Sequence, residues 1–151
     1  MKTVAKILVF AVAGALIAVA VQAQFDKPED AIKYRKATMF LIAQHFKRMG
    51  AAVQEKTPYD KQAFAANAEV VKVLATLPWE AMLEPGTDQG DTTLSSAAFS
   101  KTEDFKKAAM AFEAATAQLA AASQAEGFDA IKAQFGTVAG NCKVCHKAFR
   151  K

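Results

Sequence analysis

The sequence predicts an all-α fold, an antiparallel four-helix bundle. Three observations predict it. Apolar residues recur at alternating spacings of three and four along several stretches, the repeat of one buried helix face. The chain is alanine-rich, with only 7 glycines and 4 prolines in 151 residues, which favours helix interiors. Turn signals are few and fall between the periodic stretches.

Met1–Ala23 reads as a secretory signal peptide. Lys2 and Lys6 give the positive start, Ile7 to Val21 is apolar, and Val21-Gln22-Ala23 offers a cleavage site. The apolar run is short for a membrane-spanning helix. Cleavage leaves Gln24–Lys151, long enough to bury one core, as a single domain. It also takes the 19 basic side chains to 17, against 15 acidic, so the mature charge is small. No basic stripe with interleaved aromatics is present, so a nucleic-acid partner is not expected. No membrane partner is expected after cleavage.

The first helix starts at Asp26-Lys27-Pro28-Glu29-Asp30, a capping residue followed by proline and acids in the first turn. It is expected to run to about Met49 and stop at Gly50. Its inner seam reads Ile32, Arg35, Met39, Ile42, Phe46, Met49. Arg35 is the exception there, since a buried guanidinium requires a partner. That partner is an anion at the site or a carboxylate, unless the side chain snorkels to the bundle end. His45 falls off the seam and is expected in solvent. Thr57-Pro58-Tyr59-Asp60 opens the second helix. Phe64, Asn67, Val71 and Leu74, with a parallel row Val70, Val73, Leu77, give it a broad apolar face, and Leu77-Pro78 stops it. Trp79 follows, either against a cofactor edge or closing the core.

Glu80–Ser100 is one long connection marked by Pro85-Gly86 and Gly90-Asp91. It either covers a site, with the Thr92 and Thr93 hydroxyls as donors, or simply links two helices at one end of the bundle. The third helix begins near Ser100 or Thr102, with Glu103 and Asp104 in its first turn and Phe105, Ala108, Phe112, Ala115, Leu119, Ala122 as its seam. Glu126-Gly127 ends it. The fourth starts near Phe128, and Phe128, Ile131, Phe135, Val138, Cys142, Cys145, Phe149 run down it in unbroken three-four spacing.

Cys142-Lys143-Val144-Cys145-His146 lies on that last helix. C-x-x-C-H is the attachment signature of a c-type haem: each thiol adds to a vinyl group, and the histidine is placed to bind the iron. A redox dithiol would call for a strand–helix setting, and a zinc site for four ligands. The chain has only 2 cysteines and 2 histidines in all. A disulfide across two residues would leave His146 unexplained. Both cysteines sit on the buried stripe, so the haem is expected inside the bundle. A haem propionate is then the obvious anion for Arg35.

A bundle of this size with C-x-x-C-H near the end of its last helix resembles cytochrome c′, the class II c-type cytochromes. The resemblance covers Gln24–Lys151 and includes Gln24 to Arg35, Leu77-Pro78-Trp79 and Cys142 to Arg150. It implies one covalently attached haem c per chain, held by Cys142 and Cys145, with His146 as iron ligand and usually no sixth protein ligand. It implies that Arg35 contacts a propionate with Lys36 beside it, that Met39 stands over the distal face, and that Arg150 packs near the proximal histidine. Phe149 departs from the tyrosine many members carry. The resemblance further implies a homodimer paired through the first helix, periplasmic location, and binding of NO and CO, with roles in nitric oxide handling or electron transfer. It names no redox partner.

On the seam itself Met39 is open to two readings: a side chain that blocks the iron, or a sixth ligand as in low-spin electron carriers resembling cytochrome c556. No distal histidine, arginine or carboxylate is visible as an acid or base, so an enzyme is not expected. Phe40 and Leu41 lie off the first-helix seam, where a second subunit could meet them.

Overall fold

The computed structural model describes residues 24–151 apart from Glu126; the expected signal peptide lies outside these. Four long helices carry the fold: α1 (Pro28–Val53), α2 (Lys61–Leu74), α5 (Thr102–Ala125) and α6 (Phe128–Phe149). Two short helices, α3 (Trp79–Met82) and α4 (Ala97–Ser100), sit within the long connection. Neighbouring long helices run antiparallel, so the start of α1, the end of α2, the start of α5 and the end of α6 share one pole. The connection from residue 75 to 101 closes that pole.

Local chemistry explains most helix ends. Lys27 rather than Asp26 is the N-cap of α1, without a side-chain cap, and Pro28 opens the first turn. Asp60 caps α2, its carboxylate accepting from the Ala63 N–H at 3.0 Å, so the helix begins just after the Thr57–Asp60 signal. Gly127 is the N-cap of α6.

Gly50 does not stop α1, which continues to Val53. The glycine is there for packing. A Cβ at Gly50 would stand 3.2 Å from Phe135 Cζ, and the Phe135 ring stacks on Phe46 with centroids 4.0 Å apart. The chain turns later, at Glu55, which takes the left-handed conformation at φ 59° and pairs with Lys132 at 2.9 Å.

The main core joins Ile42 and Met49 of α1, Phe64 and Val71 of α2, Phe112 and Leu119 of α5, and Ile131 and Val138 of α6. A smaller cluster under the connection gathers Leu94, Ala98, Phe105 and Phe149. Trp79 joins the two, edge-on to Phe105 and to Phe112. These contacts are those of its core-closing role. Val70 and Val73 do not extend the α2 core face; both are exposed, because α2 packs with its Phe64–Ala68–Val71 side. His45 is not free in solvent either. It is half-buried, with Nδ1 2.8 Å from Asn67 Oδ1 across the α1–α2 contact. The Asn67 amide nitrogen donates to Ala63 O, so its oxygen accepts and His45 Nδ1 carries the proton.

α6 packs mainly on α5 and only lightly on α1. The bundle is therefore open along the α1–α6 seam.

Two of the helical glycines predict opposite responses. Gly50→Val is expected to destabilise the fold by about 1–3 kcal/mol through overpacking against Phe135. Gly136→Ala, where an added Cβ meets nothing within 4 Å, is expected to stabilise it by roughly 0.5–1 kcal/mol. Urea unfolding midpoints check both.

Candidate haem site

A cavity of about 550 Å³ lies along the α1–α6 seam at the pole closed by the connection. Arg35, Lys36, Met39, Phe40 and Ala43 form its α1 wall; Cys145, His146, Phe149 and Arg150 form its α6 wall. Asp91, Thr92, Thr93 and Leu94 from the connection, with Met82 and Phe105, complete it. Arg35, Met39 and Ala43 follow one another at i, i+4 and i+8, so a single stripe of α1 faces the space.

Cys142 lies one turn before Cys145 and packs against the main core rather than lining the cavity. Both thiols are half-buried. Burial pushes the Cys142 thiol up to about 11, with the Cys145 thiol adding to the effect. Burial also raises Cys145. Neither resembles an activated thiolate. For His146, desolvation and then the nearby Arg150 charge hold the imidazole below its ordinary value. Both favour the neutral ring, the form that binds a metal.

Arg35 is buried, with only 4% of its surface exposed. Its guanidinium donates to Ala81 O at 2.9 Å, and also to Thr87 O and Thr92 Oγ1. The connection thus supplies neutral acceptors in place of the alternative protein carboxylate, and desolvation lowers the Arg35 pKa against the opposing pull of Asp88. Three of its five N–H groups are used, which leaves donors for a further ligand. Lys36 pairs with Asp91 at 2.7 Å on the rim. Thr92 Oγ1 accepts from both Arg35 and the Leu94 N–H. Thr93 Oγ1 accepts from Arg150 Nε at 3.3 Å. Both hydroxyls act here as acceptors, and each keeps its own proton to donate.

The connection is also stitched to the end of α6. Ser95 N donates to Phe149 O and Lys151 N to Thr93 O, both at 2.9 Å, around an antiparallel bridge of Leu94 with Arg150. It therefore spans from Arg35 on α1 to the turn that follows His146. Sequence reasoning missed Phe40, which lines the cavity although 61% exposed. It sits one residue beyond the Met39 stripe, a position that periodicity alone assigns to the surface.

A largely apolar space of this volume, within the usual range for cofactors, fits a flat porphyrin. The cations Arg35, Lys36 and Arg150 at its edge fit a ring that carries carboxylates. The family described as Cytochrome C′ matches residues 30–150. This chain belongs to the cytochrome c′ family. It is 44% identical over 128 residues to cytochrome c′ of Alcaligenes xylosoxydans xylosoxydans, covering 85% of this chain and 98% of that protein. Among solved structures, cytochrome c prime from Shewanella frigidimarina has a TM-score of 0.82 at 35% identity, covering 84% of this chain and 98% of that one. Cytochrome c′ from Rubrivivax gelatinosus has a TM-score of 0.80 at 43% identity, covering 85% and 100%. A nitric oxide complex of a mutant cytochrome c prime from Alcaligenes xylosoxidans has a TM-score of 0.78 at 43% identity, covering 85% and 98%. As a cytochrome c′ the chain carries covalently bound haem c. No helix among the described residues is long and apolar enough to cross a membrane.

Arg35→Leu is expected to destabilise this cytochrome c′ by about 2–4 kcal/mol, because it orphans buried carbonyls at Ala81 and Thr87. Limited proteolysis is expected to cut first between residues 83 and 96, and faster than in the parent.

Proposed function

We propose that this cytochrome c′ is exported to the periplasm after loss of Met1–Ala23. Its iron is held by His146 alone and binds NO and CO, in nitric oxide handling, electron transfer or both. When bound, the haem supplies an iron centre that takes a diatomic ligand and changes oxidation state. The observation that carries the reading is the α1 wall across the cavity from His146. Met39, Phe40 and Ala43 offer it bulk and low polarity but no imidazole or carboxylate. The nitric oxide complexes of relatives support it.

The chain's own residues divide the work. Cys142 and Cys145, the only cysteines, carry the two thioether links and fix the ring to the inward side of α6. His146 presents one ring nitrogen to the metal, its neutral form favoured by desolvation and by Arg150. Arg35, with unused N–H groups, receives one propionate, and the Thr92 hydroxyl adds a donor beside it. Lys36 and Thr93 stand at the rim, each already partnered, and serve the carboxylates through charge and their remaining protons. Met39 blocks the face opposite His146. A small uncharged ligand enters by displacing an apolar side chain, while Met39, Phe40 and Ala43 offer water no donor. These roles are binding and positioning rather than catalysis. A second copy pairs through α1, where Phe40 and Leu41 are exposed.

Met39→Ala is expected to speed CO binding to the reduced protein by about five- to 160-fold, since moving a packed methionine aside costs about 1–3 kcal/mol. Flash photolysis or stopped-flow mixing checks it, and unchanged kinetics would remove Met39 as the gate. The alternative, Met39 as sixth ligand, predicts a far-red thioether-to-iron band and no CO uptake in the unsubstituted protein.

A further inference from the structure

Beside the cavity, whose α6 wall ends in Arg150, the last turns of α6 carry charge of one sign. From Asn141 to Lys151 the chain has Lys143, Lys147, Arg150 and Lys151 and no acidic residue. Lys143 and Lys147 follow at i and i+4 on α6, and Arg150 caps its end in extended backbone, so the three form a stripe of about 10 Å. All three are exposed. Among the described residues the carboxylates pair instead with Lys33, Lys36, Lys72, Lys106 and Lys132. Val144, beside the stripe, is 66% exposed. These turns also hold Cys142 and Cys145, so the residues that would tether the haem share this segment of α6. The negative end of the helix dipole favours cations in the last turn and accounts for Lys147 and Arg150. It does not reach Lys143, nearly two turns earlier.

We propose that this stripe is the docking surface for an electron-transfer protein with a carboxylate-rich face, and that the electron crosses at the Cys142–Cys145 edge of the haem. The proposal rests on the electron-transfer arm of the function above. One electron leaves the partner's reduced centre and enters the ferric haem; no bond or proton moves. A short cationic stripe around one apolar residue suits a small, transient encounter, which gains rate from electrostatic steering. An anionic lipid surface is disfavoured, because Val144 alone gives it little to insert.

The test is stopped-flow reduction of the holoprotein by an anionic reagent, ferrous EDTA, and by a cationic one, hexaammineruthenium(II), across ionic strength. Lys143→Glu with Lys147→Glu is expected to slow ferrous EDTA about tenfold at low salt and to speed the ruthenium complex, with both effects fading at high salt. Lys56→Glu with Lys61→Glu, the same charge change at the opposite pole, is expected to leave both rates nearly unchanged. Midpoint potentials of each variant separate driving force from encounter. Equal effects from the two pairs would reduce the surface to net charge, and no effect from the first pair would place electron entry elsewhere; either overturns the proposal. So would Lys143- and Lys147-dependent sedimentation with phosphatidylglycerol vesicles at unchanged reduction rates. If neither reagent reduces the protein, the electron-transfer reading itself fails and takes the docking surface with it.

Discussion

A planar cofactor tied to one helix of a bundle requires a neighbouring helix that stands back. That constraint organises this molecule. α6 carries the attachment motif and packs closely on α5, while α1 keeps its distance and leaves a cavity of about 550 Å³. The main core sits elsewhere, between Ile42, Phe64, Phe112 and Ile131. It therefore holds the helices in place without filling the space the porphyrin needs. Close packing of the other three contacts is what allows this one to be open.

An open seam has to be terminated, and the buried guanidinium of Arg35 does much of that. It draws the connection across the pole by three hydrogen bonds to its backbone and to Thr92. From there the chain runs to the end of α6, where backbone bonds join residues 93 and 95 to residues 151 and 149. The helix that bears His146 is thus braced by the same segment that surrounds Arg35. Charge, loop path and ligand orientation form one connected arrangement.

The four long helices, the seams of α1, α5 and α6, and the attachment motif were legible because each is a local pattern with a fixed period, whereas the short helices α3 and α4 inside the connection were not. The partners of Arg35 were not, since they lie 46 to 57 residues away and two of them are backbone carbonyls, which every residue has. Gly50 was misread as a stop because a helix C-cap and a close helix crossing both call for glycine; only the position of Phe135 separates them. Val70 and Val73 are apolar and correctly spaced, yet α2 turns its other side inward. Periodicity says that a face exists, not which of two adjacent rows wins it. The His45–Asn67 pair has no signal in either residue's neighbourhood.

The α1 wall has one more consequence. Met39 and Ala43 border the cavity without belonging to the fully buried core. Their size and polarity can change with little disturbance to the packing that defines the bundle. Divergence within such a lineage thus has an inexpensive route: a few substitutions along one stripe alter which molecules reach the metal, while the architecture passes unchanged to descendants.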